Sequence, residues 1–150
     1  MILGIDPGSE QSAFVLFVSE TEKIHQKGIM DNETLIKTIE SSLRYDCVAI
    51  ENMQNYGAPF GKSLRDTCIV IGRIIQAASA PYFLYPRPTI KAQITGMVRA
   101  KDADVSRALK ARYGEAKKGH PLEGIKTHLW AALAVAVYHS DVIKLYPVED

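Results

Sequence analysis

The first eight residues, MILGIDPG, place one carboxylate at the end of a short apolar run and follow it with a turn. Residues 1–5 are predicted to form a buried strand, which Pro7 and Gly8 end. A carboxylate in such a place is costly to bury without a cation or strong hydrogen-bond donors. Asp6 therefore either has a partner inside the fold or faces a site, and any fold of this chain must accommodate it.

Apolar periodicity along the rest of the chain predicts four further strands and four helices. Three strands come first, helices and strands then alternate, and two helices end the chain. This order favours a mixed sheet with helices on its faces. Because 150 residues suffice for one substantial core, we expect a single α/β domain over 1–150. The predicted strands cover 1–5, 12–17, 27–30, 47–50 and 82–85, and the predicted helices cover 32–43, 64–79, 104–113 and 126–139.

The composition excludes several classes of protein. Hydrophobic residues make up 47% of the chain and charged residues 23%, which is typical of a globular protein. No apolar run approaches the ~20 residues that cross a bilayer, and no secretion-type segment opens the chain. We therefore expect a cytoplasmic protein with no membrane partner. Cys47 and Cys68 lie in apolar contexts without metal-type spacing, so we predict two buried free thiols.

The charges are unevenly distributed, although the net charge is only +1. Residues 1–50 contain four Lys or Arg against eight Asp or Glu, whereas residues 87–118 contain nine Lys or Arg against three Asp or Glu. Such a basic segment is typical of a protein that binds a phosphate backbone. A solvated helix face would show part of the same excess, but these basic residues also extend over sequence without helical periodicity.

A second carboxylate ends another short apolar strand. Glu51 follows Cys-Val-Ala-Ile as Asp6 follows Ile-Leu-Gly-Ile. If those strands are neighbours, two like charges come close, and a divalent cation such as Mg²⁺ is a common compensation. Two such ions ~3.5–4 Å apart would activate water and stabilise a leaving oxygen in phosphodiester hydrolysis. Taken singly, each acid has an ordinary alternative, namely a turn residue before Pro-Gly and a surface residue after a strand.

His128 is the third candidate. It lies in the first turn of the predicted last helix, which is rich in alanines that would let it approach the sheet closely. A neutral imidazole on this face can bind a metal ion or act as a general base. A histidine that only caps the helix or lines its apolar face is the alternative. His120 and His139 have no comparable context and are predicted to be surface or packing residues.

Three motifs together resemble the RuvC family of Holliday junction resolvases. They are Gly-Ile-Asp-Pro-Gly at the N-terminus, Ala-Ile-Glu at the end of a later strand, and His-x-x-x-Ala-Leu-Ala on the last helix. Residues 101–109 and 120–125 resemble RuvC-like proteins of phages and prophages more than the cellular enzyme. The resemblance spans nearly the whole chain. It implies a ribonuclease-H-like fold, a homodimer, and Mg²⁺-dependent paired nicking of four-way DNA junctions in a bacterial cell.

The resemblance also implies catalytic and metal-binding roles for Asp6, Glu51 and His128. Two Mg²⁺ ions are expected there, with Mn²⁺ as a substitute and no small-molecule cofactor. Asp6 matches the family's first-strand ligand, Glu51 matches its strand-end acid, and His128 matches a helix position that is Asp or His in relatives. The cellular pattern places a fourth carboxylate three residues later, where this chain has Ala131.

The missing acid leaves three explanations open. The phage-like branch works with three ligands, or another acid such as Asp102 or Asp104 completes the site, or the chain is an inactivated variant. The last explanation corresponds to a junction-binding protein without cleavage activity. A nuclease that acts on another branched substrate is a further alternative. A nucleotide-binding fragment of the actin-like type fits poorly, because the chain lacks a second glycine-rich phosphate loop.

Basic and aromatic residues are predicted to hold the DNA. Two basic pairs within residues 86–101 are expected to project from loops, which prolines stiffen. Residues 52–62 resemble the family's loop that enters the junction centre, where an aromatic side chain, here Tyr56 or Phe60, stacks on an exposed base. In the family, the helix corresponding to 64–79 forms the dimer interface. The predicted DNA-binding residues are Tyr56, Lys62, Arg87, Lys91, Arg99, Lys101, Lys117 and Lys118.

Overall fold

A computed structural model describes residues 1–55, 57 and 59–145, so Tyr56 lies outside the described residues. Its strands are β1 (Ile2–Asp6), β2 (Gln11–Val18), β3 (Lys23–Asp31), β4 (Cys47–Asn52) and β5 (Tyr82–Pro86). They form one sheet in the order β3-β2-β1-β4-β5. The first three strands pair antiparallel, whereas β4 runs parallel to both β1 and β5. The predicted mixed five-stranded sheet is confirmed.

Helices cover both faces of this sheet. They are α1 (Asn32–Ser41), α2 (Lys62–Ala77), α3 (Arg87–Thr95), α4 (Asp102–Tyr113) and α5 (Leu129–Leu145). One core joins α1 and α2 to the face that carries Leu3 and Ile5, and a second core joins α5 and α4 to the opposite face. Because side chains alternate along a strand, Asp6 shares the α5 face with Gly4. None of the helices in the described residues combines the length and apolar character needed to cross a bilayer.

The last helix lies very close to the first strand. A Cβ atom at Gly4 would be 2.3 Å from the carbonyl oxygen of Ala132 and 2.7 Å from the Cβ of Ala136. Only a residue without a side chain allows the backbones to approach in this way. The prediction that alanines bring the last helix close to the sheet is therefore confirmed. This close contact sets the distance between α5 and β1.

One segment predicted as a loop is a helix. Arg87 and Lys91 lie on α3, with Pro88 in its first turn. Proline suits this position because its φ is already helical and first-turn N–H groups have no partner within the helix. The prediction that these two residues project from a loop is wrong. Arg99 and Lys101 do lie in the connection between α3 and α4.

The last helix begins and ends later than predicted. It starts at Leu129 and continues to Leu145, rather than covering 126–139. Thr127 has a φ of 43°, a left-handed conformation that a helix cannot pass through. His128 therefore lies one residue before the helix instead of in its first turn, and its carbonyl accepts from the backbone N–H of Ala132 at 3.1 Å.

The buried face of α2 leaves Cys68 outside the core. Val70, Ile71 and Ile74 are buried, while Cys68 is exposed and Ile69 is 56% exposed. Since one residue corresponds to about 100° around a helix, a small rotation moves Cys68 from the core to the surface. The prediction of buried thiols is wrong for Cys68. Both cysteines are free, and the other one is half-buried.

Candidate active site

The three residues predicted to act together meet at one edge of the sheet. Asp6 is the last residue of β1, and Glu51 lies in β4 directly after Ile50, which pairs with Ile5. Because the two strands are parallel neighbours, their carboxyl ends lie at the same edge. Both carboxylates and His128 line a cavity of about 340 Å³ at this edge. The fold therefore brings the two acids and the imidazole together, as the sequence predicts.

The carboxylate of Asp6 is held by His128. Asp6 is only 7% exposed, and its Oδ2 lies 2.9 Å from Nδ1 of His128. Burial raises the pKa of Asp6, and the hydrogen bond with His128 offsets only part of that rise. The side chain of His128 is 71% exposed. The imidazole is therefore free to turn between Asp6 and a ligand in the cavity.

A polar network holds the turn that follows Asp6. Asn32 Nδ2 donates to the Gly8 carbonyl at 3.0 Å, and the Ser12 hydroxyl donates to Asn32 Oδ1 at 2.6 Å. The backbone N–H of Gly8 donates to the Ser12 hydroxyl at 3.2 Å. A Cβ at Gly8 would meet the Gln11 carbonyl oxygen at 2.4 Å, so glycine is required. Ser12 and Asn32 thus fix the backbone beside Asp6, a role that the sequence patterns do not indicate.

The carboxylate of Glu51 is neutralised by a guanidinium group. Glu51 is 4% exposed, and its Oε1 accepts from Arg87 Nη1 at 2.8 Å. Burial raises the pKa of Glu51 and the nearby Asp6 raises it further, while Arg87 offsets part of both effects. Arg87 Nη2 also donates to Asp102 Oδ1 at 2.7 Å, and Lys91 Nζ lies 2.7 Å from the same oxygen. An ionic network therefore extends from Glu51 to the start of α4.

The chemistry of these donors fits a divalent cation. Asp6 and Glu51 are buried carboxylates that repel each other, and Mg²⁺ binds through one or two carboxylates while keeping water ligands. His128 adds a nitrogen donor beside Asp6. In the conformation described, no three His, Cys, Asp or Glu side chains within 1–55, 57 and 59–145 are grouped so as to hold an ion. His128 and Arg87 contact the carboxylate oxygens instead.

Ala131 lines a second cavity, which is about 370 Å³ in volume and shares Glu51, Arg87 and His128 with the first. The rest of its wall is partly apolar and includes Trp130. The position where the resemblance leads us to expect a fourth carboxylate is therefore at the site. A side chain there would face the same space as Glu51 and His128.

The two acids considered as substitutes for the missing one have other partners. Asp102 lines the second cavity, but it is 72% exposed in its side chain and pairs with Arg87 and Lys91. These ion pairs lower the pKa of Asp102, with Lys91 contributing most. Asp104 accepts from the backbone N–H of Lys101 at 2.8 Å, as part of the cap of α4. Neither acid contacts Asp6 or Glu51 directly, and Asp102 reaches Glu51 only through Arg87.

The predicted DNA-binding residues separate into two groups. Arg87 and Lys91 line the cavity beside Glu51, whereas the remaining described members line neither cavity. Phe60, the alternative to Tyr56 for base stacking, is 60% exposed and does not pack beneath its loop. The exposed basic members outside the cavities are Lys62, Arg99, Lys101, Lys117 and Lys118.

His139 is a packing residue, as predicted. It is 2% exposed, its Nδ1 lies 2.8 Å from the Tyr85 hydroxyl, and its Nε2 lies 3.2 Å from Sγ of Cys47. Burial lowers the pKa of His139 and raises the pKa of Tyr85 to about 12. The cluster is therefore neutral near pH 7, and it stabilises the contact between α5 and the edge of the sheet.

Comparison with known proteins gives structural similarity alone. No family model and no curated relative matches the chain. The Thermus thermophilus RuvC structure superposes with a TM-score of 0.75 at 17% identity, over 96% of this chain and 95% of that chain. T. thermophilus RuvC in complex with Holliday junction substrate superposes with a TM-score of 0.73 at 17% identity, over 96% and 94%. The Fowlpox virus resolvase, in complex with substrate Holliday junction DNA, superposes with a TM-score of 0.58 at 16% identity, over 95% and 99%.

These similarities establish a ribonuclease-H-like α/β fold, which confirms the expectation drawn from the three motifs. They cover nearly the whole length of the chains compared. At 16% to 17% identity the likeness is one of architecture. What the chain does must therefore be argued from its own side chains.

Proposed function

We propose that this chain is a Mg²⁺-dependent endonuclease that resolves four-way DNA junctions by paired, symmetric nicks. The observation that carries the proposal is the pair of buried carboxylates, Asp6 and Glu51, at adjoining strand ends with His128 and Arg87 against them. Like charges buried together are a typical arrangement for binding divalent cations. The fold supports the proposal, because two of the similar structures contain Holliday junction DNA or substrate.

In this proposal Asp6, Glu51 and His128 hold the metal and form the catalytic centre. Bound Mg²⁺, in two ions, would supply an activated water and charge stabilisation for the leaving oxygen. Asp6 is fixed by the rigid Pro-Gly turn and Glu51 by the middle of a sheet, so both carboxylates are positioned before DNA binds. The exposed His128 is able to accept or donate a proton at the mouth of the cavity.

The same proposal assigns DNA contacts to the surrounding residues. Arg87 and Lys91 at the cavity would contact phosphates near the cleaved bond. An aromatic ring in the loop before α2, Tyr56 or the exposed Phe60, would stack on an unpaired base at the junction centre. The outer lysines and arginines, Lys62, Arg99, Lys101, Lys117 and Lys118, would contact the arms of the junction.

We also infer that two copies of the chain pair through the exposed face of α2. Ile69 is 56% exposed and the exposed Cys68 lies beside it, so this face presents two apolar side chains between Arg65 and Arg73. A Cβ at Gly72 would meet nothing within 4 Å, so no packing in the described chain explains this glycine. A mid-helix glycine lowers helix stability by roughly 0.5–1 kcal/mol relative to alanine, but it lets a second helix approach closely. A homodimer would also supply the two centres that paired nicking needs.

The proposal also covers the extent of the domain and the branch of the family. We propose that residues 1–150 are one nuclease domain and that the chain belongs to a phage-like branch of the resolvases. The support for the branch is the resemblance of residues 101–109 and 120–125 to RuvC-like proteins of phages and prophages, and Ala131 lines the cavity where the cellular pattern has a carboxylate. A branch that works with Asp6, Glu51 and His128 needs no further acid.

The direct test is cleavage of a synthetic four-way junction. Purified protein with Mg²⁺ is expected to nick two opposite strands symmetrically and to leave linear duplex intact. Asp6→Asn and Glu51→Gln should each lower the nicking rate at least ~100-fold, because they remove charge that holds the metal. Both should still bind the junction in a chelator, where neither they nor the native chain hold metal. Glu40→Gln is the matched control, since Glu40 is an exposed carboxylate on α1, and it should cut at the normal rate.

A second candidate function is junction binding without cleavage, which Ala131 specifically favours. Calorimetry with Mg²⁺ or Mn²⁺ separates the two, because a binding protein has no need of a metal. Ala131→Asp sharpens the result. If the native chain binds metal and cuts, the three-ligand site is sufficient; if only Ala131→Asp does so, the native chain is an inactivated variant.

A further inference from the structure

Arg87 occupies an unusual place for a residue expected to grip DNA. Its two terminal nitrogens contact two different carboxylates, Glu51 at 2.8 Å and Asp102 at 2.7 Å. Glu51 is buried, whereas the Asp102 side chain is 72% exposed. The guanidinium therefore joins a buried carboxylate to one at the protein surface.

The guanidinium of Arg87 occupies the position beside Glu51 that a divalent cation would need. A buried, ionised carboxylate without a positive partner is strongly unfavourable, so Glu51 in its charged form needs a cation beside it. A metal ion on Glu51 would bring a second positive charge close to the guanidinium, and the two would repel each other. The guanidinium of Arg87 already donates to Asp102 as well. Arg87 therefore keeps one ion pair when its contact with Glu51 is broken.

The cavity beside α4 offers Arg87 a second role once it leaves Glu51. Arg87 and Lys91 line it together, and Lys91 shares the Asp102 oxygen at 2.7 Å. Its walls include Trp130 and Ala131, and apolar walls strengthen the attraction between a guanidinium and an anion. A guanidinium fork and an ammonium group at one rim are well suited to a DNA phosphate.

We propose that Arg87 is a displaceable internal cation: it neutralises Glu51 while the metal is absent, and on metal binding it turns to a DNA phosphate beside Lys91. The inference rests on the proposed metal-dependent nuclease function. It makes metal and DNA binding cooperative, because each is favoured by the same movement of one side chain. The alternative is that Arg87 only orients Glu51 as a fixed partner of the metal ligand.

Removing Arg87 should raise metal affinity if Arg87 is a displaceable cation, but should not raise it if Arg87 only orients Glu51. Metal affinity therefore distinguishes the two roles. Calorimetry with Mn²⁺ and no DNA should show roughly tenfold tighter binding for Arg87→Met than for the native chain, because a competitor is removed. Arg87→Lys, which keeps the charge, should fall between them and guards against a folding defect in Arg87→Met. Lys91→Met is the matched control, since Lys91 shares Asp102 but not Glu51, and it should change affinity by less than about threefold. Weaker or unchanged binding in Arg87→Met overturns the proposal, as does an equal effect in Lys91→Met.

DNA binding gives the second test. Junction affinity is measured with Ca²⁺, which replaces Mg²⁺ without supporting cleavage, and again with a chelator. Arg87→Met should lose roughly tenfold in affinity with Ca²⁺ and less than about twofold with the chelator, whereas Lys91→Met should lose affinity in both. Equal losses for Arg87→Met in the two conditions would overturn the proposal. A native chain that binds no metal would instead refute the nuclease function, so the two failures are distinguishable.

Discussion

At the scale of single residues, the site buries two carboxylates, which is unfavourable for the stability of the fold. Asp6 and Glu51 are both buried, and burial raises the pKa of each. His128 and Arg87 reduce this unfavourable effect without removing it. Proteins with such carboxylates are often less stable than variants with neutral residues at the same positions, because the carboxylates are kept for function. The metal-free protein should therefore gain stability when one of them is neutralised.

Asp6→Asn tests this balance. Because Asn keeps the shape and a hydrogen-bonding oxygen but carries no charge, the free energy of unfolding near pH 7 should rise by roughly 0.5–2 kcal/mol. Urea unfolding in the presence of a chelator measures it. Glu40→Gln, the exposed control, should stay within about 0.5 kcal/mol of the native chain. A clear loss of stability in Asp6→Asn would contradict the argument.

The same carboxylates predict how stability depends on pH. A pKa that is higher in the folded than in the unfolded chain means that the folded state binds protons more tightly. The contribution of these two residues to stability should therefore fall as pH rises from the ordinary values of 3.8 for Asp6 and 4.5 for Glu51 through their raised folded values. Carboxylates with lowered pKa values, such as Asp102, contribute the opposite slope, so the test is the difference in stability between Asp6→Asn and the native chain. Unfolding in chelator at a series of pH values measures it, and the advantage of Asp6→Asn should shrink near pH 4.

At the scale of secondary-structure elements, the site depends on how closely α5 approaches β1. His128 directly precedes α5, and Asp6 ends β1, so the contact at Gly4 sets the distance between them. The imidazole and the carboxylate meet at 2.9 Å only while that contact is kept. A change at Gly4 therefore acts on the site without touching any of its side chains.

Gly4→Ala should destabilise the protein by about 1–3 kcal/mol, because the new methyl group overlaps the Ala132 carbonyl and α5 must move. Thermal unfolding measures the loss. Gly61→Ala is the matched control, since a Cβ there would meet nothing within 4 Å and its φ of −74° suits any residue, so it should change stability by no more than about 1 kcal/mol. An equal loss in Gly61→Ala would show that packing at Gly4 is not the cause.

The elements that the sequence predicts well are those with a clear local signal. The Asp-Pro-Gly ending of β1 and the apolar run before Glu51 lie where the patterns indicate, and the alanine-rich last helix is present although its ends are shifted. The helix at Arg87 is missed because two prolines suggest a loop, although Pro88 in a first turn favours a helix. The start of α5 is misplaced because the left-handed Thr127 has no signature in its residue type.

The contacts between the site residues are harder to predict from the sequence than the identity of those residues. Arg87 and Asp102 are 15 residues apart, and their contact depends on how α3 and α4 pack, which no short-range pattern encodes. The same holds for Ser12 and Asn32, which meet across two elements at 2.6 Å. Composition identifies the basic segment, but only the tertiary fold decides that Arg87 faces Glu51 while Arg99 and Lys101 face solvent.

At the scale of the whole molecule, one chain has one candidate site, whereas the proposed resolution of a junction by paired nicks requires two. The exposed face of α2 is the surface through which two copies would provide them. Arg73 on this helix is held by Glu33 of α1 in a bidentate ion pair, with distances of 2.6 and 2.8 Å. This exposed pair links α2 to α1 beside Ile69 and Gly72, and the apolar core between the two helices holds them together.

If two copies pair through this face, as proposed, Ile69→Arg should give a monomer, because the new charge would be buried in the interface without a partner. Sedimentation velocity measures the mass, and a cruciform plasmid measures the coupling of the nicks. The native chain should give linear plasmid from two nicks in one encounter, whereas Ile69→Arg should give nicked circles. Val98→Arg is the control, since Val98 is an exposed apolar residue away from α2, and it should stay dimeric. Linear product from a monomeric Ile69→Arg would show that paired nicking does not depend on this face.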